Sequence, residues 1–225
     1  MRGSNFLEAA NEIVDYVIRF FIANFYWFLL NIPVWFVVWN FLYNPVKIGV
    51  LYYVLAFLLF TTLLFFPSTV ALFATVRDWI LKRPQRSTTK SFFNYMKINF
   101  SKSFKAGILF TVIWLIWVGD FYYFRNTSTF FSIVIIAVGA VLLVVTIHFL
   151  SLTVHLELNL KSLLKNAFLI TIGKPLTYLL TLLVTTLFGY VGVFKIWFLF
   201  PLFTGSLTAY FSFLIFYQMY KKITS

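Results

Sequence analysis

Groups able to do acid–base or metal chemistry are few in this sequence. Of 225 residues, six are Asp or Glu, two are His and none is Cys. Without Cys there is no disulfide, no thiolate metal ligand and no thiol nucleophile. His148 and His155 stand one heptad apart, with Glu157 two residues beyond the second. Ligands to one metal ion on a helix need i, i+3 or i+4, so His-x6-His-x-Glu has no metal spacing. Each is an intramembrane polar candidate, with neutral His bonded to a neighbouring helix as the expected role. Glu8, Glu12, Asp15 and Arg19 share a helical face, where Asp15 and Arg19 can pair, but no metal partner or base stands nearby. Asp120 is within reach of Arg125 as a surface pair. Gly-x-Ser-x-Gly and His-Glu-x-x-His are absent. The expectation is therefore a non-enzyme, with no catalytic residue, metal ligand or cofactor.

The elements that carry these groups follow from composition. Hydrophobic residues make up 62% of the chain, aromatic residues 23% and charged residues 11%, with a mean hydropathy of +0.93. A soluble domain holds roughly half apolar and a quarter charged residues, so the solvent here is lipid. Uncharged runs mark six transmembrane helices, about 16–40, 48–76, 104–124, 130–155, 175–194 and 196–220, each near the roughly 20 residues a crossing needs. The expected fold is all-α, a polytopic integral membrane protein forming one transmembrane domain over 1–225. No cleavable signal is evident before the first run.

The net charge of +12 tests the topology. With the N-terminus cytoplasmic, 15 of the 18 cations fall on inner segments, and only Lys47, Arg125 and Lys195 fall outside. This positive-inside bias places both termini on the cytoplasmic side of the membrane. Nucleic acid is not an expected partner: the turn Lys82-Arg83-Pro84-Gln85-Arg86-Ser87 carries cations without a motif or stacking platform.

Two inner loops read as amphipathic interfacial helices, about 90–105 and 158–170. In the first, Phe93, Met96, Phe100 and Phe104 form one stripe and Lys90, Asn94, Lys97, Ser101 and Lys105 another face. In the second, Leu160, Leu163, Leu164, Ala167 and Phe168 oppose Lys161, Ser162, Lys165 and Asn166. Such helices lie at the inner interface, with apolar rings among acyl chains and Lys among anionic headgroups. The same stripes could instead dock a cytoplasmic partner.

Three spans are interrupted by proline: Asn31-Ile32-Pro33, Phe66-Pro67-Ser68-Thr69 and Phe200-Pro201-Leu202-Phe203-Thr204-Gly205-Ser206. Each Pro removes a donor and frees a carbonyl, so each site kinks or breaks its helix. Broken helices at corresponding places can mark a transport site. Asn31, Pro33, Pro67, Thr69, Pro201, Thr204 and Ser206 are therefore candidate path-lining residues, and kinks that merely shape a bundle are the alternative.

The order of segments carries a resemblance. Leu29-Leu30-Asn31-Ile32-Pro33-Val34, the stretch from Pro67 to Trp79, that from Ser91 to Ser103, and Leu160-Lys161-Ser162-Leu163-Leu164-Lys165-Asn166-Ala167-Phe168 followed by Gly173-Lys174-Pro175 together resemble the YesL family. These are small polytopic proteins of Gram-positive bacteria carried as a domain of unknown function. One departure is Phe65-Phe66-Pro67 where the family often has Thr-x-Gly-Pro. The resemblance implies an accessory role beside carbohydrate ABC importers, with importer permease subunits or the ATPase as partners, and supplies no site residues. A small stand-alone transporter or channel is the competing expectation.

Overall fold

The computed structural model describes residues 2–43, 49–84, 87–125 and 127–224. Lys47, Gln85, Arg86 and Asn126, and the side chains of Arg2 and Glu8, lie outside the described residues. Helices follow one another along the chain: α1 (Arg2–Leu30), α2 (Ile32–Tyr43), α3 (Val50–Phe60), α4 (Phe66–Ile80), α5 (Thr88–Phe124), α6 (Thr129–His155), α7 (Leu160–Gly173), α8 (Pro175–Tyr190) and α9 (Gly205–Thr224). Wide π-helical turns occupy Thr61–Phe65, Val191–Lys195 and Phe200–Thr204. Six stretches are long and apolar enough to cross a membrane: Asn11–Leu30, Val50–Ile80, Thr88–Phe124, Thr129–His155, Pro175–Lys195 and Phe200–Thr224. That is the architecture of a multi-pass membrane protein.

Helix α4 is the centre of the bundle. Thirteen of its 15 residues are buried, from Phe66 to Trp79, and a helix apolar all round belongs where every face is covered. It packs against α1, α5, α6 and α9. Phe66 stacks on Phe110 of α5 at 5.8 Å, and Trp79 meets Phe20 of α1 at 5.1 Å. Spans two and three approach closely because α5 offers a glycine: a Cβ on Gly107 would lie 3.2 Å from the Cα of Thr62 and 3.2 Å from the Cβ of Phe66. Just beyond, the hydroxyls of Thr61 and Thr111 bond across the same seam at 3.0 Å, a use of small and hydroxylated residues typical of helix pairs in lipid.

Two boundaries differ from the sequence expectation. The first span ends at Leu30, and the residues to Tyr43 form a separate 12-residue helix, too short to cross about 30 Å at 1.5 Å per residue. Pro33 has no N–H to donate to the preceding turn, and Asn31 takes the turn conformation between the two helices. The expected separate amphipathic helix over 90–105 is instead the first half of α5, one continuous helix of 37 residues. No Gly or Pro separates Lys90 from Lys105, and one buried seam, Phe92, Ser103, Ala106, Gly107 and Phe110, runs through both halves. The buried ring of the first half is Phe92, not the exposed Phe93 and Phe100. The second amphipathic segment is a helix of its own, α7, which packs Leu163, Ala167 and Thr171 inward against α6 and α8.

Overfilling the seam at Gly107 should cost about 1–3 kcal/mol. Gly107→Leu is expected to lower the thermal midpoint in detergent by roughly 5 °C, whereas Gly119→Ala, whose added Cβ meets nothing within 4 Å, leaves it unchanged or higher. Differential scanning fluorimetry of the two variants checks this.

Candidate functional site

Two of the proline breaks, in spans two and six, meet along one face of α1 and the turn that ends it. Asn24, Trp27 and Asn31 stand at i, i+3 and i+7, and all three are buried. Asn24 bridges the break in span six. Its Nδ2 donates to the carbonyls of Phe200, 3.0 Å, and Pro201, 2.8 Å, while its Oδ1 accepts the N–H of Ser206 at 2.8 Å. One side-chain amide thus takes up backbone groups on both sides of the turn that Pro201 distorts. Only a glycine at 205 admits it so closely: a Cβ there would stand 2.9 Å from Asn24 Oδ1 and 3.0 Å from the Trp27 ring.

The same face closes the break in span two. The Trp27 indole N–H donates to Thr69 Oγ1 at 3.0 Å, and that hydroxyl donates to the carbonyl of Phe65 at 2.5 Å. Asn31 Nδ2 donates to Trp27 O, 2.6 Å, and to Ser68 Oγ, 2.9 Å, and Ser68 donates in turn to Phe65 O at 3.1 Å. Asn31 Oδ1 has no hydrogen-bond partner among the described residues. The candidates Asn31 and Thr69 are therefore joined through Trp27, while Ser206 is held separately by Asn24 on the same face of α1. Pro67 is buried at the start of α4, Pro201 lies within the turn that Asn24 holds, and Pro33 sits two residues after Asn31 on α2. Thr204 Oγ1 faces span five so tightly that Gly192 could carry no side chain beside it.

His148 is fully buried and joins three helices. Its Nδ1 lies 2.9 Å from Thr171 Oγ1 of α7, and its Nε2 lies 3.4 Å from Thr181 Oγ1 of α8. Thr171 donates its proton to Ala167 O at 2.8 Å, so it accepts from the imidazole, which makes Nδ1 the protonated nitrogen and leaves Nε2 to accept from Thr181. Both nitrogens are used, in a clamp. His155 lies apart from it, ringed by Phe213, Phe216, Tyr217 and Tyr220 with centroids 4.7–5.9 Å away.

Beside His155 is a charged cluster that the spacing of residues did not reveal. Asp78 is 3% exposed, and its Oδ1 accepts from Arg77 Nη2 at 2.8 Å and lies 3.8 Å from Arg83. Its Oδ2 accepts from the hydroxyl of Tyr95 on α5. Arg77 donates to the carbonyl of Val154 near the end of α6 and lies 5.5 Å from the Tyr95 ring centroid. A buried carboxylate with two cations and a phenol is compensated; it ties the ends of spans two, three and four together. The adjacent Arg77-Asp78 pair ending an apolar run was the available signal. The expected pairs elsewhere do not form: Arg125 lies over the Tyr122 ring, 4.5 Å from its centroid, and Arg19 over Tyr16 at 5.8 Å. Among the described residues, the only ion pairs are those of Asp78. In each case the cation lies over a ring three residues back on its own helix.

The amphipathic candidates divide by exposure. Phe93, Lys97 and Phe100 are exposed and Phe104 half-buried on α5, with Phe100 and Phe104 stacked at 6.0 Å. On α7, Leu160 and Leu164 are half-buried, and Phe168 is 52% exposed.

Truncation of Asn24 should strand three backbone groups at once. Asn24→Ala is expected to destabilise by roughly 3 kcal/mol, at the upper end for loss of a buried partner, and to make the 196–206 segment cleavable by protease, whereas Asn40→Ala, at a half-buried amide that bonds only Phe36 O of its own helix, does not open that segment. Limited proteolysis with thermal melts tests it.

Comparison with known proteins reaches only part of the chain. Residues 20–121 match a family described as "Protein of unknown function, DUF624". This stretch contains Asn24, Trp27, Asn31, Ser68, Thr69, Asp78 and Tyr95. A relative in Bacillus subtilis (strain 168), "Uncharacterized protein YesV", is 28% identical over 115 residues. The match covers 49% of this chain and 55% of that relative, so it spans about half the length of each. No solved structure matches. The first half of this chain is thus similar to a family of unknown function.

Proposed function

We propose that this protein is a non-enzymatic accessory subunit in a bacterial plasma membrane, associated with a carbohydrate ABC importer. The observation that carries the reading is the engagement of the intramembrane polar groups. Asn24, Trp27, Ser68, Thr69 and His148 are each bonded to a helix carbonyl or to another buried side chain. Groups used in this way brace helices and leave association through packing as the work of the chain. Charge distribution supports cytoplasmic termini, with Lys221 and Lys222 in the last turn of α9. The resemblance to the YesL family supports the sugar importer as partner. On α7, Phe168, Leu169 and Ile172 are exposed beside the buried seam, a face suited to a permease helix, or to the ATPase where it meets the membrane, with anionic headgroups beside its lysines.

A stand-alone transporter is the second reading, and one observation favours it. Thr69 and Thr204, beside the breaks in spans two and six, line a common cavity, as residues flanking discontinuous helices do in transporters.

Affinity purification in a mild detergent at native expression should recover permease or ATPase subunits with the tagged chain. Phe168→Asp is expected to reduce that recovery at least tenfold without lowering the thermal midpoint. Purification of the chain alone contradicts the subunit reading, and oligosaccharide flux into liposomes holding only this protein, lost in Thr204→Val, would establish the transporter instead.

A further inference from the structure

Between the spans lies a cavity of about 370 Å³. That is within the range of ligand sites, about 300–1,000 Å³, and roughly ten times the volume share of a water molecule. Its floor is formed by buried Trp27, Phe66 and Leu72, and its rim by half-buried Leu143, Thr185 and Gly189 of α6 and α8. The site is independent of the subunit reading above.

The wall decides the occupant. Threonines line it, but the hydroxyls of Thr69, Thr146 and Thr185 donate to the carbonyls of Phe65, Leu142 and Thr181 at 2.5–2.8 Å. Trp27 and Trp114 commit their indole N–H groups to Thr69 and Thr146. What these residues present to the cavity is methyl and aromatic carbon. A water molecule needs two to four polar partners, and few donors here are free for one. An empty space of this size forfeits dispersion contacts along its whole lining. Hydrocarbon is the chemistry that matches, and the lipid around the spans supplies it. Gly189 makes room at the rim: a Cβ built there meets no atom within 4 Å.

We propose that this cavity binds one acyl chain of a membrane phospholipid, admitted sideways between α6 and α8. The headgroup stays outside, since the lining holds no charged residue. Binding couples the two helices of the rim to the α1–α4 network on the floor, where Trp27 and Thr69 are shared between cavity and brace.

The test uses the full chain in dodecyl maltoside micelles, titrated with dioleoyl phosphatidylglycerol carrying a mid-chain diazirine. Photolysis should give saturable labelling near one lipid per chain, mapped by tandem mass spectrometry to residues 143–150 and 185–208. Gly189→Leu, whose Cβ enters open space at the rim, should cut that labelling at least tenfold while keeping the thermal midpoint; Thr208→Leu supplies the same test from α9 should the first variant fail to fold. Labelling that rises without saturation and maps to outward residues such as Leu183 and Leu187 would overturn the proposal. So would equal labelling of the lining in both filled variants, or labelling of the lining by a diazirine fatty acid and not by the phospholipid.

Discussion

A backbone group without a partner in hydrocarbon has no water to turn to, and each costs several kcal/mol. Three prolines in this chain, at 33, 67 and 201, create that problem within apolar stretches, and α1 answers two of the breaks from one face. Asn24 closes the turn at Pro201, while Trp27 and Asn31 reach the hydroxyls of Thr69 and Ser68, which cover the carbonyl of Phe65. The arrangement of spans one, two and six depends on this. Moving α1 along its axis by one turn, about 5.4 Å, would withdraw the amide from Ser206 and the indole from Thr69 together.

The other polar groups extend the same principle to the rest of the bundle. His148 pins α7 and α8 to α6 through two threonines, and Asp78 gathers Arg77, Arg83 and Tyr95 where spans two, three and four end. Around them the aromatic side chains fill space. Trp35 and Phe200 meet edge to face at 5.0 Å, and Phe110 and Phe149 lie 5.0 Å apart. A molecule whose ionisable groups are this few and this committed is built to hold a shape in lipid. The function proposed above rests on what that shape contacts, at the exposed faces and in the cavity between the helices.

The sequence made some of this legible and hid the rest for physical reasons. Charge-free runs disclosed the six crossings because lipid excludes charge along a whole span, and proline marked the breaks because its lost donor is local. Asn24 escaped notice because its partners are 176, 177 and 182 residues away, and a lone amide in an apolar run does not say which helix it meets. Its register with Asn31, one heptad on, was the signal. The division at Lys105 misled because a change from amphipathic to apolar surface alters what a helix touches without interrupting its hydrogen bonds. Phe92 and Phe93 show the same limit: both suit an apolar stripe and both reach Tyr26 of α1, yet the first is buried and the second exposed.

At the proline breaks Thr69, Thr204 and Ser206 are buried, as residues that brace helices out of reach of water must be. The chain has no cysteine, so single cysteines can be placed at Thr69, Thr204 and Ser206, with one at exposed Lys90 and one at exposed Ser101 as accessible controls, and probed in native membranes with a charged methanethiosulfonate reagent from either side. Modification is expected at the controls and at none of the three break positions until the protein is denatured. Rapid modification at Thr204 and Ser206 in the folded protein would mean that water reaches the breaks, and would contradict that bracing role.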